Sequence, residues 1–244
     1  MHAFGQILKI ETKLFLREPG SPLTTIALPL ALLVVFGLIP ALREPDPLFG
    51  DRTFIEYFVP SLLVITLAMA AVNILPTVLA TYRERGVLRR LATTPASPAA
   101  LLVAQLVISL ATILISAVLL IVVGRLAFDM PLPQHPLGFA LALVLGTAAL
   151  LALGLLVAAV ARTTRAAQAL AVPVFMLTMF FGGVYLPRFL LPDFLVRVGD
   201  YTPPGVQALF DAWTGDSPQP LHLAIMAAIT VLAGSVAAKL FRWE

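Results

Sequence analysis

Cysteine is absent, so this 244-residue chain has no disulfide framework and no thiol chemistry. Charge is scarce: 12% of residues are charged, against about 25% in globular domains, and 60% are hydrophobic. That balance excludes a soluble domain. Lysine occurs only at Lys9, Lys13 and Lys239, so no Gly-x-x-x-x-Gly-Lys-Ser/Thr loop is available to cradle nucleotide phosphates. His-Glu-x-x-His and Gly-x-Ser-x-Gly are also missing. His2, His135 and His222 lack metal-ligand spacing and read as surface histidines. An intramembrane hydrolase would need a nucleophile and base, or paired carboxylates, at membrane depth. No ionisable side chain falls deep in any predicted span, which also argues against a proton relay or ion-coupled carrier. If cargo moves, its energy enters elsewhere.

What the chain does contain is long apolar sequence. Uncharged stretches cover 19–42, 57–82, 91–124, 130–161, 166–187 and 217–238. Each holds the roughly 20 apolar residues that cross a hydrocarbon core about 30 Å thick. Strict alternation, the mark of a membrane β-barrel, is absent. The predicted fold is an all-α membrane protein forming one transmembrane domain over 1–244. Its six helices are placed near 22–42, 56–81, 98–124, 137–161, 166–185 and 220–239. Charges at Lys9, Glu11, Lys13, Arg17 and Glu18 argue against a cleavable signal peptide.

Basic residues report orientation. Lys9, Lys13, Arg17, Arg83, Arg85, Arg89, Arg90, Arg162, Arg165, Lys239 and Arg242 fall on one side of the six spans: 11 of the 16. Arg43, Arg52, Arg125, Arg188 and Arg197 fall on the other. The positive-inside rule puts the larger set, with both termini, in the cytoplasm. The basic residues therefore read as a topology signal, not as a nucleic-acid surface.

Residues 1–18 read as an interfacial helix. Phe4, Ile7, Leu8, Leu14 and Phe15 share one face, with Lys9, Lys13 and Arg17 opposite. Glu11 and Glu18 interrupt the apolar face, which suits a protein contact in place of lipid; a frayed lead-in to the first span is the alternative. Pro29, Pro40, Pro60 and Pro76 fall within the first two spans, where they either kink the helix or are tolerated. The stretch 182–219 is broken by Gly and Pro yet rich in Leu, Phe and Val, which predicts short helices dipping into the outer leaflet.

The densest charge cluster begins at Tyr82-Arg83-Glu84-Arg85. On a helix over 84–92, Val87, Leu88 and Leu91 fall on one side and Arg85 and Arg89 on the other, with Pro95 and Pro98 as stops. Such a helix suits a soluble partner's groove, with arginines at the rim. It suits equally a basic anchor on lipid head groups.

Glu84-Arg85-Gly86, then Leu91, then Thr94-Pro95-Ala96-Ser97-Pro98 resembles the cytoplasmic loop of ABC-2-type transporter permeases. Their pattern is Glu-Arg-Glu-x-Gly, so Gly86 directly after Arg85 is a departure. Phe181-Gly182-Gly183-Val184-Tyr185-Leu186-Pro187, Leu191-Pro192 and Thr202-Pro203-Pro204-Gly205-Val206-Gln207-Ala208-Leu209 resembles that family's re-entrant segment after helix 5. The resemblance covers nearly the whole chain and looks closest to the daunorubicin-resistance type of drug exporter.

The resemblance implies the membrane subunit of an ABC exporter, not itself an enzyme. A second permease subunit, identical or not, would pair with it. Two separate ABC ATPase subunits would carry ATP and Mg²⁺, with no cofactor on this chain. Loop 82–98 would be the coupling loop, with Glu84, Arg85, Gly86, Val87, Leu88, Arg89, Arg90, Leu91, Thr94 and Pro95 meeting the ATPase. Gly182, Gly183, Pro187, Pro192, Pro203 and Pro204 would shape the re-entrant turn over 182–219. Thr66, Met69, Asn73, Met176, Thr178, Phe180, Phe181 and Tyr185 would line the pathway, although Asn73 suits an interhelical hydrogen bond as well. An uncharged pathway suits amphipathic drugs, antibiotics or lipids; polysaccharide and teichoic-acid exporters share the fold. A membrane scaffold that recruits a soluble partner is the rival reading.

Overall fold

Helix dominates the computed structural model, which describes residues 2–18, 20–91, 98–185 and 190–241, and no strand occurs among them. The elements are α1 (His2–Arg17), α2 (Gly20–Gly37), α3 (Phe54–Glu84), α4 (Val87–Leu91), α5 (Pro98–Phe128), α6 (Pro136–Val160), α7 (Thr164–Phe181), α8 (Asp193–Asp200), α9 (Val206–Thr214) and α10 (Pro220–Leu240). Among the described residues, six helices are long and apolar enough to cross a membrane: α2, α3, α5, α6, α7 and α10. The chain is a multi-pass membrane protein.

Helix ends differ from the sequence reading where backbone chemistry intervenes. α2 stops at Gly37, short of 42, because Pro40 holds Ile39 extended and opens a 3₁₀ turn, Pro40–Arg43. α7 stops at Phe181 rather than 185, at the Gly182-Gly183 turn. α3 begins at a capping box: Glu56 N–H donates to Thr53 Oγ1 at 3.2 Å, and Thr53 N–H donates to Glu56 Oε2 at 3.3 Å. It runs on to Glu84, one turn past the predicted end.

α3 is the central helix. Its most apolar stretch is 72% buried, against 22% to 50% in the other five spans. A helix that is apolar all round belongs inside a protein, and here α2, α5, α6 and α7 all pack on it.

One proline in α2, Pro29, and one in α3, Pro76, are each preceded by a π-helical turn. Leu23–Ala27 and Met69–Ile74 each widen the helix just before a proline, with Leu28 N–H bonding Leu23 O and Leu75 N–H bonding Ala70 O. Each proline frees a carbonyl. Thr25 O, whose α-helical donor would be Pro29, accepts from Ser116 Oγ of α5 at 3.4 Å. Ser116 Oγ in turn lies 3.2 Å from Thr66 Oγ1 of α3. Ala71 O loses Leu75 to Ala70 and gains nothing from Pro76. It lies instead against Gly154 of α6, where a Cβ would come within 1.9 Å of it. Only a bare Cα fits that crossing.

Within 182–219 the described residues include two helices, α8 and α9. His135 and Gln134 N–H groups donate to Ala212 and Trp213 carbonyls at 3.0 and 3.3 Å. Phe139 and Trp213 rings meet at 5.7 Å, and Tyr57 and Phe210 rings at 5.4 Å. α9 is thereby held to both α6 and α3. One histidine departs from the surface reading. His222 is buried with its ring against Tyr201, because α10 turns it inward, and His135 Nδ1 caps α6 by accepting from Gly138 N–H at 3.1 Å.

Gly154→Leu should abolish recovery of folded, monodisperse protein in detergent, because backbone occupies the space a side chain needs. Ser116→Ala should fold with a loss of about 1–2 kcal/mol, from an interhelical bond and a carbonyl left without a partner. Thermal unfolding of the purified variants measures both.

Candidate functional site

The charged loop grows directly out of α3. Tyr82, Arg83 and Glu84 form the last turn, and each reaches a different neighbour. Tyr82 Oη donates to Glu11 Oε2 of α1 at 2.6 Å, and Gln105 Nε2 of α5 donates to the same oxygen at 2.6 Å. Arg83 Nη1 donates to the carbonyls of Ala158 and Ala161 at 2.7 and 2.5 Å. Those carbonyls end α6, where intrahelical donors run out and a cation is favoured. The guanidinium also lies 4.9 Å from the Phe241 ring, just past α10.

Glu84 Oε2 accepts from Thr164 N–H at 3.0 Å and from Thr164 Oγ1 at 2.6 Å. Thr164 opens α7, so the carboxylate sits at a helix N-terminus, the end that favours negative charge. Thr163 supplies the N-cap by accepting from Ala166 N–H at 3.1 Å. Three consecutive residues thus fasten α3 to α1, α6 and α7.

Past this clamp, Gly86 adopts φ +67°, a left-handed turn that turns the chain into α4. Arg85 and Arg90 are exposed, and Arg90 Nη2 donates to Arg85 O at 3.2 Å. Val87 and Leu91 are half-buried. Arg89 continues the helix, while Thr94 and Pro95 lie outside the described residues. One expectation needs correction. The sequence puts Leu88 on the side offered to a partner, but Leu88 is 2% exposed within this chain. It anchors α4 on the bundle, with Arg85 and Arg90 exposed beside it.

Glu11 is the residue that periodicity undervalued. The packed face of α1 runs through Phe4, Ile7, Leu8, Glu11 and Phe15, so the carboxylate sits at its centre, 7% exposed. The contact it marks is with its own chain, at Tyr82 and Gln105; Glu18 stays exposed. Burial holds the Glu11 carboxyl above its ordinary value of 4.5, and the bonds from Tyr82 and Gln105 pull it partly back.

The proposed pathway residues scatter. Thr66 and Thr178 are buried within the chain, the first beside Ser116 and the second bonded to Val174 O. Met69 opens the π turn. Asn73 lines a cavity between α1, α3 and α5. Phe180 and Phe181 pack edge to face at 5.3 Å, and Tyr185 Oη donates to Met176 Sδ at 3.3 Å on the exposed side of α7. Gly182 O accepts from Ser61 Oγ at 2.9 Å, tying α7 to α3. Gly183 completes that turn, Pro192 precedes α8, and the Pro203–Pro204 peptide, cis, precedes α9; Pro187 lies outside the described residues.

Leu88→Asp should destabilise the chain itself by several kcal/mol, because a carboxylate would be buried without a partner; Arg90→Glu should leave the melting temperature within about 2 °C. The folded protein holds the Glu11 proton more tightly than the unfolded chain does. Stability from this group is therefore complete below pH 4.5 and is lost as pH rises through the raised value. Wild type should lose thermal stability relative to Glu11→Gln across that interval; parallel melting curves would contradict this.

No curated protein matches the chain. A family model does: the ABC-2 type transporter model matches residues 2–204. That range takes in the clamp, α4 and five of the six candidate spans. Permeases of this family are membrane components that generally work with an ABC ATPase. The chain belongs to the ABC-2 type transporter family.

Proposed function

We propose that this chain is the permease subunit of an ATP-driven exporter that carries an amphipathic drug, antibiotic or lipid-like molecule out across the cell membrane. Two permease subunits pair around a pathway, and two ABC ATPase subunits, holding ATP and Mg²⁺, dock at the basic end. Both termini lie in the cytoplasm. α1 lies at the interface, and 182–219 re-enters the outer leaflet.

The observation that carries this reading is the Tyr82–Glu84 clamp. A push on α4 is delivered to α3, and through the clamp to α1, the end of α6 and the start of α7. Arg85, Arg89 and Arg90, with Val87 and Leu91, form the ATPase contact; Leu88 holds α4 to the subunit. Met69, Asn73, Met176, Phe180, Phe181 and Tyr185 contribute to the pathway, with Thr66 and Thr178 packed behind them.

The test is co-expression with an ABC ATPase, purification, and ATP hydrolysis in lipid against a panel of amphipathic drugs, lipids and polysaccharide precursors. Co-purification with stimulation by amphiphiles supports the reading. Stimulation by polysaccharide precursors alone moves the cargo, and no association with an ATPase favours a membrane scaffold. Glu84→Ala should co-purify normally but lose roughly tenfold of the stimulated turnover. Full stimulation in that variant would remove the clamp from the coupling route.

A further inference from the structure

The cavity between α1, α3 and α5 has a volume of about 560 Å³, inside the roughly 300–1,000 Å³ of small-molecule sites. Arg85, Arg17 and Glu18 stand at its mouth, on the basic end of the bundle. Asn73, nearly three turns before the end of α3, lines the same cavity, roughly 15 Å along the helix from Glu84. Ile74, Val78 and Ile108 supply apolar wall, and Glu11 projects from α1 into the same space.

Glu11 is the chemical anomaly of this cavity. It is 7% exposed, yet its partners are two neutral donors. Both donate to Oε2 at 2.6 Å, and Oε1 receives neither. Among the described residues Glu11 makes no ion pair. A buried carboxylate lacking a counter-charge is expensive, and the two neutral donors on Oε2 offset only part of that cost, so a cation in the cavity would stabilise its ionised form. Arg17 and Arg85 are exposed at the mouth, where water and salt screen them. Within the cavity the lower dielectric strengthens attraction to Glu11.

We propose that this cavity binds an amphipathic amine, its ammonium on Glu11 and its apolar body along Ile74, Val78 and Ile108. The site loads cargo from the membrane leaflet at the basic end, and Asn73 joins it to the proposed pathway. That role rests on the exporter reading; binding does not, so binding is tested in the chain without an ATPase.

The probe is a long-chain primary alkylamine carrying a diazirine, compared with the matching alkyl alcohol. Each is photolysed with the full chain in nanodiscs of zwitterionic lipid, and the labelled residues are mapped by mass spectrometry. Saturable amine labelling should concentrate on the α3 and α5 wall and exceed alcohol labelling at least tenfold. Glu11→Gln keeps acceptors for Tyr82 and Gln105 and should erase that preference. Ile74→Trp, which narrows the cavity without touching the carboxylate, should reduce labelling by both probes. Equal labelling by amine and alcohol, an unchanged preference in Glu11→Gln, or labels spread over lipid-facing helix surfaces would each overturn the site. Loss of transport with labelling intact would instead count against the exporter reading.

Discussion

Helix α3 is enclosed by protein, and in that setting each carbonyl released by a proline or left at a helix end needs a partner from the chain itself. The architecture follows from how those needs are met. Pro29 frees Thr25 O, and Ser116 answers it from α5. Pro76 leaves Ala71 O without a helical donor, and Gly154 lets α6 close over it. The last carbonyls of α6 are met by the Arg83 guanidinium. Each solution joins α3 or α2 to another helix, so satisfying the backbone and assembling the bundle are one event.

The same economy explains why the Tyr82–Glu84 turn is dense in polar side chains. It lies where α3 leaves the apolar interior, and four other elements begin or end around it. Arg83 is placed at a helix C-terminus and Glu84 at a helix N-terminus, so both charges complement local dipoles. In the proposed transporter this rigidity has a use. A short helix held by one buried leucine is a poor lever alone, but attached to a clamped turn it displaces several helices together.

Glu11 follows a different logic. The clamp uses its Oε2 to seat α1, and that seat encloses a cavity beside an anion lacking a counter-ion. The structural contact and the proposed ligand contact share one carboxylate, so occupancy of the cavity would be felt at Tyr82, inside the clamp.

Much of this was legible in the sequence because lipid imposes a composition rule. Six uncharged stretches needed no partner information to be read as six helices, and the loop motifs were readable as family patterns. The α2 and α7 ends moved because Pro40 and Gly182-Gly183 act on local backbone that a charge count does not see. Leu88 and His222 were misplaced for another reason. Amphipathic spacing says which residues share a face, not whether that face meets solvent, a partner or the chain's own core. The meeting of Glu11, Tyr82 and Gln105, 71 and 94 residues apart from Glu11 along the chain, has no local signature beyond an acid interrupting an apolar face. Sequence alone determined the membrane class, the number of spans and the position of the charged loop, because hydrophobicity and charge are additive along a chain. Tertiary structure decided which polar groups pair, which leucine is buried and where the cavity lies, because those depend on which helices cross and at what depth.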